Sequence, residues 1–310
     1  MIRNISFKVA VPGGRLDAAV LAFFPGSARP FVRRAIEHGN VFVNGRKASK
    51  GARLSAGDEI LVKALEERID NSVRPGTDCP LVPVYVSDAL LAFDKPAGCP
   101  VNPLSRGERG TLANSVAAAY PECAAVGDGP LVAGALHRID AETSGLVLFA
   151  RSQEAFDAVR AQFSAQKVVK TYLALVEGCA AFGATLECDL AHDPNSKSCR
   201  MVDAAKLSSR GGPGRQPRPM RAVTRYEPVD RRSAHGRERT LLRVTIKTGV
   251  THQIRAQLAM AGLPIVGDAV YGAGPERGVR GHCLHALAVS LDSPGGGRLE
   301  IATSPPPWAQ

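Results

Sequence analysis

The chain has 310 residues, enough for one large domain or two, and its 45% hydrophobic and 22% charged content is that of a soluble globular protein rather than a disordered or fibrous one. Its formal net charge of +10 points toward polyanionic partners, because neutralising phosphates releases condensed counterions, although charge alone does not name the partner. Nowhere do eighteen apolar residues run together and Met1-Ile2-Arg3-Asn4 leads into no long apolar core, so neither a membrane span nor a signal peptide is expected and the expected location is cytoplasmic.

The seven cysteines (79, 99, 123, 179, 188, 199 and 283) are scattered, with no C-x-x-C pair. Cys188, His192 and Cys199 make a poor zinc set, and all seven are expected as free thiols, with no metal and no cofactor.

From the N-terminus, Leu16, Ala19, Val20 and Phe23 share one helical face within residues 15–24. Pro30 can open a second helix over Phe31 to His38, with Gly39 to close it and Arg29, Arg33 and Arg34 around it. Val41-Phe42-Val43 is strand-like, Asn44-Gly45 is a strong hairpin turn, and Asp58 to Val62 supplies a further strand. Residues 65–80 carry charge, Pro and Gly without periodicity and read as a linker between residues 1–64 and a larger domain, 81–310.

In the larger domain, Leu90 to Phe93 reads as a strand entering the loop Asp94-Lys95-Pro96-Ala97-Gly98. The run Leu146 to Ala150 reads as a buried strand preceded by a loop bearing Asp140. Phe156, Val159 and Phe163 recur at helical spacing with Ser152 as N-cap. Val168 to Val176 and Leu241 to Lys247 alternate as half-buried strands, and Thr251 to Ala261 reads as a short helix ended by Gly262. Residues 203–219, with Gly211-Gly212-Pro213-Gly214 at their centre, read as a mobile basic loop. Strands dominate without a βαβ repeat, so the fold class is α+β with a mixed, largely antiparallel sheet.

The chemistry centres on His137-Arg138-Ile139-Asp140-Ala141-Glu142-Thr143-Ser144-Gly145-Leu146. This stretch resembles the signature of RluA-type RNA pseudouridine synthases. The resemblance extends to Asp94 to Gly98, Lys170-Thr171-Tyr172, Thr251-His252-Gln253-Ile254-Arg255, Pro264 to Asp268 with Tyr271-Gly272, and Leu284-His285-Ala286. In residues 1–64, Gly14-Arg15-Leu16-Asp17, Val41 to Gly45 and Ala56-Gly57-Asp58 resemble the S4 RNA-binding domain.

The resemblance implies a pseudouridine synthase fold in which the Asp140 carboxylate attacks a target uridine. The C1′–N1 bond would break, and the uracil would turn and rejoin the ribose through C5, without a cofactor. Arg255 would pair with Asp140 and fix its direction, and Tyr172 would stack on the base. Arg138 would fill the gap left by the flipped uridine, since a stacked base cannot present its glycosidic bond to an enzyme. Lys95 and His252 are candidate RNA contacts, as are Arg29, Arg33 and Arg34, whose alternative is a solvated helix face. His285 is expected to be structural and buried.

The sequence departs from the family at Val250, where an arginine is usual, and at Asn102, where a histidine is common. The S4-like segment favours large-subunit ribosomal RNA over transfer RNA as partner, by analogy, with a monomer as the default. A binding or ribosome-assembly factor on a synthase fold is the alternative from another class. His137-Arg138-Ile139-Asp140 has one residue too many for a kinase H-R-D loop, and neither G-x-S-x-G nor a Walker loop is present.

Overall fold

A computed structural model describes residues 2–9, 14–23, 32, 35–49, 51–66, 72–105, 107–194, 196, 199–207, 218–234, 237–274, 276 and 278–310. Arg29, Arg33 and Arg34 lie outside the described residues, as does most of the expected basic loop at 203–219. The chain divides into two compact units, residues 1–71 and 72–310.

In the first unit, β1 (Ile2–Lys8), β2 (Val41–Val43), β3 (Arg46–Lys47) and β4 (Glu59–Glu66) form a sheet of order β1-β4-β2-β3. Helix α1 (Leu16–Phe23) buries Leu16 and Val20 with Val41, Ile60 and Val62 of the sheet and half-buries Ala19, while Phe23, expected on the same face, is 50% exposed and stacks on Phe7. The hairpin turn has φ of 51° at Asn44 and 77° at Gly45, the left-handed pair that a two-residue turn between twisted strands requires. Asn44 also donates from Nδ2 to Asp58 Oδ1 at 2.8 Å, tying the turn to the start of β4.

The second unit is built on one ten-stranded sheet. Its edge begins with β5 (Val82–Val86) and β6 (Leu90–Lys95), followed by β7 (Ser144–Ala150). The centre holds β8 (Val169–Glu177), β12 (Arg237–Ile246) and β13 (Leu284–Asp292). Strands β9 (Ala184–His192), β10 (Met201–Asp203) and β11 (Met220–Ala234) form the other edge, and β14 (Arg298–Ala302) pairs with β13 off the main path. The β7–β13 pair is parallel and the other pairings are antiparallel. The class is therefore α+β with a mixed sheet.

Three helices pack against this sheet. α2 (Leu112–Ala119) starts at a reciprocal cap: Thr111 Oγ1 accepts the Asn114 N–H, and Asn114 Oδ1 accepts the Thr111 N–H. α3 (Gln153–Ser164) is capped by Ser152 and buries Ala155, Phe156 and Val159. α4 (Gln253–Met260) begins at His252, whose φ is 52°. β6 and β7 pair in register and are buried on both faces; Leu91, Phe93, Val147 and Phe149 join one core cluster, and Leu90, Ala92, Leu146 and Leu148 another. Two-sided burial explains why these strands read as continuous apolar runs rather than alternating ones.

Gly145 permits the parallel β7–β13 contact. Its φ is 110°, and a Cβ there would lie 2.3 Å from the Ala286 carbonyl oxygen. No side chain fits between the two backbones.

Two expectations need correction. Cys79 and Cys99 form a disulfide; Cys123, Cys179, Cys188, Cys199 and Cys283 are free thiols. The two half-cystines are distant in sequence and meet because residues 72–80 fold onto the unit instead of running free as a linker. Val73 and Cys79 enter the core cluster, Asn114 Nδ2 donates to the Arg74 carbonyl, and Ser115 Oγ donates to the Cys79 carbonyl.

Candidate active site

Asp140 lies on the turn entering β7, a loop held by its backbone. The Thr143 N–H donates to the Asp140 carbonyl at 3.1 Å, and the Ala141 carbonyl accepts the Gly98 N–H and Lys95 Nζ, each at 2.8 Å. The Asp140 side chain is about one quarter exposed, so the loop presents its carboxylate to a cleft while the main chain is fixed. Thr143 Oγ1 lies 2.8 Å from His282 Nε2, and Ser144 Oγ lies 2.8 Å from His285 Nδ1. His285 is buried, as expected.

The structure brings Arg255 to Asp140. Arg255 Nη1 donates to Asp140 Oδ2 at 2.7 Å. On its other side the guanidinium grips Asp268 through Nε (2.7 Å) and Nη2 (2.9 Å). Burial works against the arginine's charge, but its bonds to Asp268 and the two carboxylate charges outweigh that and raise its pKa above the ordinary value. Burial works against the Asp268 charge as well, by pushing its pKa upward, but the bond and charge of Arg255 hold it below the usual carboxylate range. The two-pronged contact fixes the plane of the guanidinium and leaves Nη1 for Asp140.

Asp268 belongs to the run Pro264 to Asp268, in which sequence reasoning gave the aspartate no role. It is 1% exposed, and a carboxylate enclosed in apolar surroundings demands a cation. The apolar residues ahead of it were the available signal.

Tyr172 is on β8 beside this pair and is buried. Burial, with the Asp140 charge adding to it, pushes its phenol pKa well above the usual value, so the ring keeps its proton at neutral pH. A cavity of about 70 Å³ is lined by Asp140, Tyr172, Arg138, Lys170, Val250 and Arg255 among others. A larger groove of about 1090 Å³ shares Arg138, Asp140, Lys170 and His252 with it and continues past Leu104, Arg160, Arg221 and Lys247. Arg138 is exposed at the rim common to both. Val250 lines both cavities, and the buried Lys170 lies on the same walls. Lys170 donates to the Thr248 carbonyl at 2.8 Å, and burial lowers its pKa to about 8. Asn102 Nδ2 donates to the Leu131 and Val132 carbonyls, so its side chain fixes a wall of the groove.

Lys95 has other partners than the phosphates expected of it. It is fully buried, and Nζ donates to the carbonyls of Pro96 (2.9 Å), Cys99 (2.7 Å) and Ala141 (2.8 Å). The same burial lowers its pKa to about 8, against the raising effect of Glu142, Asp140 and Asp94. Its place is beneath the Asp140 loop. His252 Nε2 lies 3.8 Å from Asp140 Oδ2, beside the Asp140–Arg255 pair. Among the described residues, no group of three or more His, Cys, Asp or Glu is placed to hold a metal ion, and no helix is long and apolar enough to cross a membrane.

Known proteins resemble both units of the chain. Residues 89–260 match the RNA pseudouridylate synthase family and residues 14–60 match the S4 domain. The chain is 32% identical to a ribosomal large subunit pseudouridine synthase D of Xanthomonas campestris, over 99% of this chain and 89% of that protein. It is 34% identical to an uncharacterized RNA pseudouridine synthase of Chloroflexus aurantiacus, over 94% of this chain and 86% of that protein. Among solved structures, Human RNA Pseudouridylate Synthase Domain Containing 1 shares the fold, with a TM-score of 0.58 at 24% identity, covering 76% of this chain and 89% of that one. The chain thus belongs to the RNA pseudouridylate synthase family, and it is an isomerase that converts uridine in RNA to pseudouridine.

Proposed function

We propose that Asp140 is the nucleophile of this isomerisation and that the substrate is large-subunit ribosomal RNA. The observation that carries the first part is the 2.7 Å contact between Asp140 Oδ2 and an Arg255 fixed by Asp268, at the floor of a cavity walled by Tyr172. An oriented carboxylate beside a flat aromatic ring can attack a flipped uridine, while the ring keeps the detached uracil against the ribose. As an Asp140 oxygen bonds to C1′ the C1′–N1 bond breaks and its electron pair leaves with uracil N1; the uracil turns, C5 bonds to C1′ as the Asp140–C1′ bond breaks and returns its pair to the carboxylate, and C5 then loses its proton while N1 gains one. The recess around Asp140 and Tyr172, once RNA lies across its mouth, limits escape of the uracil anion into water. Arg138 at the rim takes the space of the extruded base.

The ribosomal assignment rests on relatives named for large-subunit RNA and on the match of residues 14–60 to an S4 domain. Residues 1–64 are the RNA-binding part in this reading, residues 81–310 the catalytic part, and the enzyme works as a cytoplasmic monomer. Arg29, Arg33, Arg34 and His252 are RNA contacts in the same reading.

The test is release of tritium from C5 of uridine in unmodified, 5-tritiated ribosomal RNA. Wild type should release it and Asp140→Asn should not. Equal release by both would remove Asp140 from its role. Release from transfer RNA but not from ribosomal RNA would keep the chemistry and change the substrate.

A further inference from the structure

Among the described residues, Asp140 receives two charged or polar side-chain contacts, both on one oxygen. Arg255 Nη1 is 2.7 Å from Oδ2, and His252 Nε2 is 3.8 Å from the same atom. The second contact is too long for a hydrogen bond as it stands, but such contacts in an empty site commonly shorten when substrate binds. Its effect depends on whether Nε2 carries a hydrogen.

Tyr271 supplies the answer. The ring is buried, and its hydroxyl accepts the Met201 N–H at 2.8 Å. A backbone N–H can only donate, so this bond uses a lone pair of the phenol and leaves its own hydrogen to be placed. Burial pushes the Tyr271 pKa up to about 12, so that hydrogen is present at neutral pH. His252 Nδ1 lies 3.2 Å from the hydroxyl. If Nδ1 is bare, the phenol donates to it and the ring hydrogen resides on Nε2, facing Asp140. If Nδ1 carried the hydrogen, a bare Nε2 lone pair would face a carboxylate oxygen. The first arrangement satisfies the groups and the second sets two acceptors against each other. Burial also lowers the His252 pKa, with Arg255 acting in the same direction and Asp140 opposing, so the neutral ring with its single hydrogen is the relevant form.

The backbone supports a built arrangement. His252 adopts φ 52° directly before α4, an uncommon conformation for a residue with a Cβ. That conformation lets the imidazole reach back between Asp140 and Tyr271, whose ring meets it edge-on with centroids 5.8 Å apart. The guanidinium of Arg255 lies 5.3 Å from the centre of the same Tyr271 ring, so one tyrosine touches both residues that address Oδ2.

We propose that Tyr271 holds His252 in its Nε2–H tautomer, so that this N–H and Arg255 Nη1 both take Oδ2 of Asp140 and leave Oδ1 as the oxygen that meets the uridine. The proposal rests on Asp140 being the nucleophile. His252 and Tyr271 are positioning residues: they decide which carboxylate oxygen is free and how it is aimed.

A two-bond proton–nitrogen correlation spectrum of wild-type protein with ¹⁵N-labelled histidine reads the tautomer directly, with His252→Gln assigning the signal. The expected result is a hydrogen on Nε2, with Tyr271→Phe giving a mixture of both forms. In tritium release at saturating RNA, His252→Leu should lower kcat about tenfold, apart from any loss of RNA affinity carried in KM, and His252→Gln, which restores a donor, should recover most of the kcat. A wild-type hydrogen on Nδ1 would overturn the proposal, as would equal rates for the Leu and Gln variants. Tritium release by Asp140→Asn would overturn the nucleophile and with it the role of Oδ1, and the spectrum would not register that failure.

Discussion

The two sides of the Asp140 cavity hold buried positive charge in different ways. On the α4 side, Arg255 is locked between two carboxylates, Asp268 and Asp140. On the β6 and β8 side, Lys95 beneath the Asp140 loop and Lys170 on the cavity wall make no ion pair among the described residues, and they donate to backbone carbonyls. The pKa values follow the difference: Arg255 is raised, while both lysines fall to about 8. A guanidinium that cannot titrate suits the side that fixes the direction of the Asp140 carboxylate. Carbonyl-held ammonium ions serve instead as braces for loops, and they remain close to neutralisation.

Removing the brace is the harshest way to break the comparison. Lys95→Met strands the Pro96 and Cys99 carbonyls in the loop after β6 and leaves the Ala141 carbonyl, next to Asp140, with the Gly98 N–H alone. At about 1–3 kcal/mol for each abandoned buried group, denaturant titration should show a loss on the order of 5 kcal/mol. A loss below about 1 kcal/mol would mean that the carbonyls find water and that Lys95 is no brace.

Arg255→Lys tests the paired side. It keeps the charge but cannot grip Asp268 with two prongs and still reach Asp140. Loss of one preorganised contact in the reaction predicts a fall in kcat of about 100-fold at nearly constant KM, measured by tritium release. Retention of half the wild-type kcat would show that a point charge suffices.

The disulfide connects with the brace, because Cys99 supplies one of the Lys95 acceptors. Closing a loop of this size stabilises by about 3 kcal/mol through the unfolded state. Reduction should therefore lower Tm measurably, and Cys79→Ser should lose that sensitivity. A thiol count of seven in the native, unreduced protein would remove the bond altogether.

The smallest effect is a pH signature. Lys170 has a folded pKa near 8 against an ordinary 10.5, so between these values the unfolded chain holds the proton that the folded chain has released. Stability then rises with pH through that window. Relative to Lys170→Met, which cannot titrate, wild type should gain stability from pH 8 to 10.5 by an amount on the order of 3 kcal/mol, with no relative change below about pH 7. Comparing the two proteins removes the opposing effect of Cys123 and Cys283, whose thiols are pushed up to about 12. A flat difference would place Lys170 in contact with water.

Much of this was legible beforehand for identifiable reasons. The β6 and β7 strands, α3 with its Ser152 cap and the Asn44-Gly45 turn follow from periodicity and local backbone preference, which act over a few residues. The positions of Asp140, Tyr172 and Arg255 followed from motifs, and the structure brings these three together on one cavity. Strand β1 and the 15-residue β11 carry charged, weakly patterned sequences, Ile2 to Lys8 and Met220 to Ala234, and pairing with β4, β9 and β12 makes them strands. Lys95 shows why a side chain's partner is harder to read than its place: a lysine beside a loop has the same letter whether it faces phosphate or three carbonyls.

By itself the sequence determined the α+β class, the local elements with strong periodicity and the residue types assembled for the chemistry, because each depends on neighbours along the chain. Only the tertiary structure decided that Asp268 fixes Arg255, that Cys79 meets Cys99, that Lys95 turns inward and that Tyr271 and His252 converge on Asp140. Apart from the short reach of Lys95 to Pro96 and Cys99, those contacts join residues from 13 to more than 100 positions apart, and they exist because burying the sheet leaves each enclosed charge and hydrogen only the partners that the fold delivers.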